Sequence, residues 1–391
     1  MPNALRPEGR SFDKLRTNGV GSVNWKHLFS RALEAAPERL HFAAHSHHLW
    51  PDASFAGQMA AWEDAAMLAD HKWDKIFAEV IPEAQRHIAD ELGLPDPATI
   101  AFAPSTHEFL VRIVSALPME KPRILASDGE FHSFRRQSQR WAEAGRIELT
   151  TVPLDRLVET AQAGQFDLVF VSQVQFNSGQ MLSGIEQLAA LSRPDGPWVV
   201  IDGYHGFMAT PTDLSGVADR IFYLSGGYKY AMAGEGVCFL HAPPGFAPRP
   251  EYTGWYAAFD SLTAKQGEAG YASDGRRFLG STFDPSGLYR FNAVQRMLAH
   301  EGLTTRAISA HCDALKARFV AADPVPDLAL ISGPEARFLA LQGAVAPAIY
   351  AALTARAVIT DLRGDVLRIG FALYHDVEDV DALAAILRSL A

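Results

Sequence analysis

Residues 223–243, YLSGGYKYAMAGEGVCFLHAP, carry the pattern that decides the fold. An apolar strand ends at two glycines, Lys229 stands between Tyr228 and Tyr230, and a second apolar run follows. Glycines let the backbone come close to a ligand, and apolar and aromatic neighbours lower the pKa of a lysine, which favours Schiff-base chemistry. A lysine in an ordinary surface loop is the commoner alternative, so the surrounding sequence has to decide between the two.

On both sides of this stretch, short apolar runs alternate with helical patterns. The runs are TIAFAPST, RILASD, ELTTVPL, FDLVFVSQVQF, PWVVIDGYHG, DRIFYLSGG and GVCFLHAP. Strands that alternate with helices predict an α/β fold whose sheet is mostly parallel and buried on both faces. Before them, residues 52–92 have helical spacing and predict two helices, with Pro82 as the restart point.

After residue 250 the alternation ends and a loop-rich stretch runs to about residue 284. The remaining pattern of helices and short strands, with a hairpin in AVITDLRGDVLRIGFALYH, predicts a small α+β domain. The first residues are polar and without periodicity. We therefore expect a flexible N-terminal extension (1–22), a large domain (23–285) and a small C-terminal domain (286–391).

Composition narrows the class of partner. The 391 residues carry a formal charge of -10, and no apolar run approaches the roughly 20 residues of a membrane-spanning helix. The negative charge excludes a large basic surface of the kind that binds nucleic acid or an anionic membrane, apart from a local patch at Arg135, Arg136 and Arg140. The two cysteines cannot build a disulfide framework or a four-thiolate metal site. We expect a cytoplasmic protein with a small-molecule partner.

Asp202 stands at the end of another apolar run, in PWVVIDGYHG, with His205 three residues later. In an open parallel sheet, ligands bind at the carboxyl ends of the strands. A turn aspartate is the alternative for an isolated Asp-Gly pair. Together with Lys229, however, Asp202 suits a pyridoxal phosphate (PLP) enzyme, which needs a carboxylate for the ring nitrogen and a lysine for the aldehyde.

The same cofactor needs a phosphate site and a ring partner. Ser105 and Thr106 lie at a predicted strand-to-helix junction, where free N–H groups attract phosphate, although a plain helix cap is the alternative. Phe131 follows the next strand and could stack on a pyridine ring or belong to the core. The order of these features along the chain is more informative than any one of them.

The turn HFAAHSHHLWP places three histidines at 45, 47 and 48. Imidazole is a common metal ligand, but no cysteine or acidic residue lies nearby in sequence. We expect hydrogen-bonding loop residues and no metal, with substrate contacts from Ser46 and His47.

In this order the motifs resemble the class V aminotransferase branch of fold-type I PLP enzymes, and most of all the kynureninases, from about residue 40 to the end. GYKYAMAGEGVCFLH is similar to the kynureninase lysine segment, TGWYAAF to its Gly-Trp-Trp-Gly-His segment, GSTFDPSG to its Gly-Thr turn, and VLRIGFALYHDVEDV to its ending. The resemblance implies a transferase-like large domain with a seven-stranded sheet, and a homodimer whose active sites are shared between subunits.

The resemblance also implies a role for each matching residue. Lys229 would bind the cofactor aldehyde and act as the base, Asp202 would pair with the ring nitrogen, and Phe131 would stack on the ring. Further cofactor contacts would come from Ser105, Thr106, Tyr228, His205, Gln175 and, across the dimer, Thr282. Substrate contacts would come from Arg368, by a bidentate fork to the α-carboxylate, and from Ser46, His47, His71 and Trp255.

Some positions depart from the kynureninase pattern. Phe134 stands where that family has an aspartate, Gln175 stands where it has an asparagine, and WYAAF lacks the glycine and histidine of the family segment. These departures fall more on the substrate side than on the cofactor side.

The activity implied is hydrolysis of the Cβ–Cγ bond of L-kynurenine or a related 3-acyl-alanine, in which Tyr228 would assist proton transfer. The alternatives are aminotransfer by the same lysine, aspartate and arginine, a catalytically silent protein of this fold, and a metal-binding protein built on the histidine turn. Cysteine desulfuration is less favoured, because Cys238 falls in a predicted strand and Cys312 in a predicted helix.

Overall fold

The structure, a computed structural model, describes residues 24–261, 267 and 269–390. The predicted N-terminal extension therefore lies outside the described residues. The strands are β1 (Leu40–His41), β2 (Ile100–Ala103), β3 (Arg123–Ser127), β4 (Glu148–Val152), β5 (Leu168–Ser172), β6 (Trp198–Asp202), β7 (Phe222–Gly226), β8 (Cys238–His241), β9 (Ala329–Leu330), β10 (Phe338–Gln342), β11 (Val358–Ile359), β12 (Asp361–Arg363) and β13 (Val366–Gly370).

The helices are α1 (Ser30–Glu34), α2 (Asp52–Leu68), α3 (Lys72–Lys75), α4 (Ile81–Leu92), α5 (Thr106–Ser115), α6 (His132–Glu143), α7 (Leu157–Ala163), α8 (Ile185–Leu191), α9 (Ser286–His300), α10 (Thr305–Ala322), α11 (Ala346–Thr354) and α12 (Val377–Arg388). A π-helical turn (Ile76–Val80) joins α3 to α4. None of the helices in the described residues has the length and apolar character needed to cross a membrane.

A seven-stranded sheet forms the centre of the fold, in the order β2-β8-β7-β6-β5-β3-β4. Neighbouring strands pair in parallel except for β8, which runs antiparallel to both β2 and β7. Strands β2, β5, β7 and β8 are buried along their whole length, because helices cover both faces. The predicted α/β fold with a mostly parallel seven-stranded sheet is confirmed.

The parallel strands bring several polar residues to one edge of this sheet. Ser127, Ser172 and Asp202 are the last residues of β3, β5 and β6, and α5 and α6 begin a few residues after β2 and β3. Consecutive residues in the strands alternate between two apolar layers: Val199 and Ile201 belong to one core cluster and Val200 to the other. The strand ends are therefore held rigidly at the edge where ligands bind in such sheets.

The C-terminal part contains a four-stranded antiparallel sheet in the order β12-β13-β10-β9. The predicted hairpin is present as β12 and β13, joined through Gly364 at φ 61°. Strand β1 pairs with β11 in parallel, Leu40 opposite Val358, so the N-terminal segment also contacts the C-terminal part. The domain boundary at residue 285 stays a prediction.

The helical segment before the sheet breaks at a different point from the one expected. The break follows α2 at Ala69, which has φ 49°, and not at Pro82. Pro82 is the second residue of α4 and directly follows the π-helical turn. Since the π-helical turn runs directly into α4, the proline does not interrupt the chain direction.

Candidate active site

A pocket with a volume of about 370 Å³ opens at the carboxyl edge of the large sheet. It has the size of a small-molecule site. The small sheet and the N-terminal segment close its other side. The predicted site residues that line it are Ser46, Ser105, Thr106, Phe131, Asp202, His205, Tyr228, Lys229 and Arg368. A larger surface cavity of about 1000 Å³ runs along α6 and meets the pocket at His107 and Ser133.

Lys229 lies at the base of the pocket, in the turn after β7. Its Nζ is 2.5 Å from Nε2 of His205 and stands over the rings of Tyr204 (5.0 Å to the centroid) and Phe131 (5.7 Å). The side chain is open to the pocket on one side and surrounded by protein on the others. This burial lowers the pKa of Lys229 to about 7, although the charge of Asp202 acts in the opposite direction.

Asp202 faces Lys229 from the end of β6. Its Oδ1 accepts a hydrogen bond from the main-chain N–H of Tyr204 at 2.9 Å. Burial raises the pKa of Asp202 to about 6, against the effects of that hydrogen bond and of Lys229. His205 is buried, and burial together with the charge of Lys229 holds its pKa well below the ordinary value. Its Nδ1 has no hydrogen-bond partner among the residues that the structure describes.

The first turn of α5 forms another wall. Ser105 caps this helix, with its Oγ accepting from the main-chain N–H of Glu108 at 3.4 Å. Thr106 is the first helical residue, so its N–H group is among those without a partner inside the helix. Tyr228 completes this side, and Phe131 keeps 42% of its surface exposed toward the open space.

Opposite the sheet, two arginines share one carboxylate. Arg368 of β13 is buried and contacts the main-chain oxygen of Phe176 and the carboxylate of Asp361. Arg363, at the end of β12, is 3.4 Å from the same carboxylate and lines the pocket. His45 lies beside them, 3.8 Å from Asp361 through Nε2. Among the described residues, this one carboxylate is the ion-pair partner of both guanidinium groups, so one positive charge is left for an anion.

The remaining predicted residues, His47, His71, Gln175, Trp255 and Thr282, do not line this pocket. His47 is exposed and contacts the ring of Tyr228. His71 is exposed beside Asp74, and Trp255 is exposed with its Nε1 3.3 Å from Oγ1 of Thr282. Gln175 is buried behind the pocket.

The pocket also contains Tyr204, Ser172 and Arg363, which the sequence did not single out, and His45 and Cys238, which we considered from the sequence only for metal binding and desulfuration. Tyr204 lies inside the DGYH motif and Ser172 ends a strand, so the local sequence could have indicated each of them as a site residue. Arg363 and His45 reach the pocket only through the long-range packing of the small sheet.

Burial raises the pKa of Cys238 to about 12 and also raises that of Cys312. Within the described ranges, no group of three or more His, Cys, Asp or Glu is arranged to hold a metal ion. In the histidine turn, His45 and His48 are buried while His47 is exposed.

Known proteins with similar sequences and folds were compared with the chain. A Streptomyces clavuligerus protein, isopenicillin N epimerase, is 31% identical over 194 residues, which are 46% of this chain and 48% of that protein. The chain thus matches about half the length of this curated relative.

Among solved structures, a lysine-to-alanine mutant of C-DES with glycine covalently linked to its PLP cofactor has a TM-score of 0.80 at 19% identity, covering 93% of this chain and 98% of that one. The apo cysteine desulfurase of Thermococcus onnurineus NA1 has a TM-score of 0.75 at 17% identity, covering 90% and 95%. At these identities the likeness shows the fold, which is that of PLP-dependent enzymes.

The family model for aminotransferase class-V matches residues 57–324. This range is more than half of the chain and includes the whole large sheet with Lys229 and Asp202. The predicted family and enzyme class are therefore confirmed, and the chain belongs to the class V aminotransferase family of PLP-dependent enzymes.

Proposed function

We propose that this protein binds PLP through Lys229 and removes the α-proton of an amino acid. The observation that carries the proposal is the meeting of Lys229, Asp202, His205 and Phe131 in one pocket at the carboxyl edge of the sheet. These are the groups that a PLP site needs: an amine, a carboxylate, a polar side chain beside the ring and an aromatic face.

The residues fit the cofactor in three respects. Lys229 and Asp202 stand on the same side of the pocket, with Phe131 exposed above them. The first turn of α5, next to Ser105, presents N–H groups that lack partners inside the helix, and such a helix start suits a phosphate. The unpartnered Nδ1 of buried His205 is a polar atom that a bound ligand can satisfy.

When bound, the cofactor supplies an aldehyde that captures amines and a ring that takes up electron density. The protein then has to move one proton and orient the substrate. With a pKa of about 7, Lys229 can hold or release a proton at Nζ near neutral pH, as a general base requires. Asp202 would accept a hydrogen bond from the protonated ring nitrogen of the cofactor, and His205 contacts Nζ of Lys229 at 2.5 Å.

Arg368 and Arg363 support binding of an amino acid by its α-carboxylate. Asp361 neutralises one of the two guanidinium groups, and a substrate carboxylate would neutralise the other. A planar guanidinium matches a carboxylate with two parallel hydrogen bonds. Because both arginines lie opposite Lys229, a substrate bound there would place its amino group toward the lysine.

Within this reaction class we propose hydrolysis of the Cβ–Cγ bond of L-kynurenine or a related 3-acyl-alanine. The motif resemblance supports it, and so does Ser46 in the pocket. His71 and Trp255 do not support it within one subunit, since both are exposed elsewhere.

Two alternative reactions begin with the same step, the removal of the α-proton. Aminotransfer needs only the lysine, the aspartate and the arginine. The epimerase relative suggests inversion at a carbon, which also begins by breaking a C–H bond. A reaction that needs an exposed thiolate is not supported, because both cysteines of the chain are buried.

We also propose that the working unit is a homodimer in which Thr282 reaches the phosphate site of the other subunit. Within one subunit, Thr282 lines a separate cavity that adjoins the pocket at Pro104 and His107. Sedimentation should give about twice the chain mass of 42.7 kDa. Mixing Lys229→Ala with Thr282→Ala chains should restore activity, because each hybrid dimer contains one intact site.

An absorbance scan of the protein reconstituted with PLP tests the central proposal. We expect a visible band that Lys229→Ala abolishes and that shifts when L-kynurenine is added, with a fluorescent aromatic amine released. A lysine-dependent band that ignores kynurenine but responds to other amino acids would reject the hydrolase and retain the enzyme class. A band without turnover on any amino acid would favour a silent protein, and no band at all would reject the proposal.

A further inference from the structure

Glu130 is a buried carboxyl group for which the proposed reaction has no use. It lies just before Phe131, in the loop between β3 and α6, and none of its surface is exposed. Its Oε1 accepts from Oγ of Ser127 at 2.5 Å and from the main-chain N–H of Ser172 at 3.0 Å. Its Oε2 accepts from Oγ of Ser172 at 2.5 Å. Burying a carboxylate without a cationic partner costs free energy, so we expect Glu130 to have a role at this site.

The contacts of Glu130 hold the loop that carries Phe131. Ser127 ends β3 and Ser172 ends β5, so the carboxylate ties this loop to two strands of the sheet. Gln175 extends the network, with its Nε2 donating to Oγ of Ser127 at 2.9 Å. Its Oε1 packs so closely on Gly129 that a Cβ there would lie 1.7 Å away. The backbone on the N-terminal side of Phe131 is therefore fixed by a network of four hydrogen bonds and by the packing of Gln175 on Gly129.

The same carboxyl group lies next to Asp202. Ser172, which donates to Glu130, is the register partner of Asp202 across β5 and β6. Burial raises the pKa of Glu130 to about 7, the hydroxyl and main-chain donors oppose this, and the charge of Asp202 adds to it. The groups on β3 and β5 that contact Glu130 are not titratable, and Asp202 is the titratable group that acts on it from β6.

We propose that Glu130 is a positioning residue of the cofactor site: it locks the Phe131 loop to the sheet and places a second negative charge behind Asp202. The proposal rests on the proposed PLP function. A negative charge at this point favours the protonated form of any group that Asp202 contacts. We expected Gln175 to contact the cofactor. In the role proposed for Glu130, Gln175 instead supports the loop by its hydrogen bond to Ser127.

Two variants separate the two effects in the reconstituted holoenzyme. Glu130→Gln keeps the shape and removes the charge, so the pH midpoint of the lysine-dependent band should fall by about half a unit to one unit. Its PLP dissociation constant should stay within a few-fold of that of the wild type. Ser127→Ala removes a donor to Glu130 and the acceptor of Gln175, so PLP should bind about tenfold more weakly while the midpoint stays unchanged.

Glu143→Gln is the matched control, since Glu143 is exposed at the other end of α6; it should change neither quantity. An unchanged midpoint in Glu130→Gln overturns the electrostatic role, and unchanged PLP binding in Ser127→Ala overturns the anchoring role. Both results leave the proposed function intact, because the band itself would persist. A wild-type protein without the band overturns the function and this inference together.

Discussion

Lys229 should react as a free amine near neutral pH, and this property can be measured without turnover. Burial lowers the pKa of Lys229 to about 7, and the charge of Asp202 limits the shift. Because only the neutral amine attacks an aldehyde, the rate at which the apoprotein captures PLP should rise through pH 7 and then level off. Asp202→Asn removes the opposing charge, so this midpoint should fall by about one pH unit. Stopped-flow absorbance between pH 5 and 10 gives both midpoints.

The control for this measurement is Asp128→Asn. Asp128 is exposed at the same edge of the sheet but does not line the pocket, so its removal should leave the midpoint in place. A wild-type midpoint near 10 would mean that Lys229 titrates like a solvated lysine, and the assignment of a base with a lowered pKa would then be wrong.

The individual residues of the pocket differ in how far the sequence predicts them. Lys229, Asp202 and Thr106 each follow an apolar strand directly, and strand ends of a parallel sheet share one edge, so local pattern and one topological rule suffice. Arg363 has no such signal, since only the packing of the small sheet brings it to the pocket. Glu130 was missed because nothing in the letters GEF indicates that a glutamate is buried.

The close packing of α2 on α9 provides a prediction about these two helices. A Cβ on Gly57 would lie 2.5 Å from the main-chain oxygen of Tyr289 and 2.8 Å from Cα of Arg290. In a free helix, Gly→Ala stabilises by about 1 kcal/mol. Here we expect Gly57→Ala to lower the free energy of unfolding by about 1–3 kcal/mol, because the backbones must move apart. Urea unfolding followed by circular dichroism measures the difference.

Gly216→Ala is the matched control for the packing effect. Nothing lies within 4 Å of a Cβ at Gly216, so this substitution should change the free energy of unfolding by less than about 0.5 kcal/mol. Gly57→Ala with unchanged or higher stability would show that α2 and α9 are not in backbone contact.

The strands were easier to predict from the sequence than the pairs that they form in the sheets. The apolar runs correctly indicated the strands of the large sheet, and burial on both faces explains why polar residues do not alternate along β2, β5, β7 and β8. The run ELTTVPL is the exception, since β4 lies at the edge of the sheet and is partly exposed. The antiparallel direction of β8 and the pairing of β1 with β11 had no local signal, because strand pairing depends on chain topology. The helix break at Ala69 was placed at Pro82 instead, since a proline in the first turn of a helix and one at a break look alike in sequence.

Across the whole molecule, six buried histidines make the fold sensitive to acid. His41, His48 and His241 have pKa values lowered by burial to about 4, 3 and 4. Burial also holds the pKa values of His45, His205 and His375 well below the ordinary value. Nδ1 of His375 accepts from the main-chain N–H of Ala372 at 3.0 Å, so a proton added there would break that bond.

These lowered pKa values determine how the free energy of unfolding changes with pH. A histidine whose folded pKa is lowered contributes stability that is present above the unfolded value near 6.5 and is lost as the pH falls below it. Below that pH each such histidine lowers the free energy of unfolding by about 1.4 kcal/mol per pH unit, so the six together lower it by roughly 8 kcal/mol per pH unit. The raised pKa values of the carboxyl groups Glu130, Asp202, Glu91 and Asp379 act oppositely, whereas the lowered pKa values of His132 and His311 act in the same direction as the six. Since a fold has about 5–15 kcal/mol in total, the apoprotein should unfold near pH 5.

Tryptophan fluorescence followed from pH 8 to pH 4 tests this prediction, and the steepness of the transition reports the number of protons taken up. His48→Asn keeps a donor for the main-chain oxygen of Leu49, which Nδ1 of His48 contacts at 2.7 Å, and removes one titrating group, so the transition should lose about one proton. His300→Gln removes an exposed histidine and should leave the steepness unchanged. An apoprotein that stays folded at pH 4 would contradict this prediction.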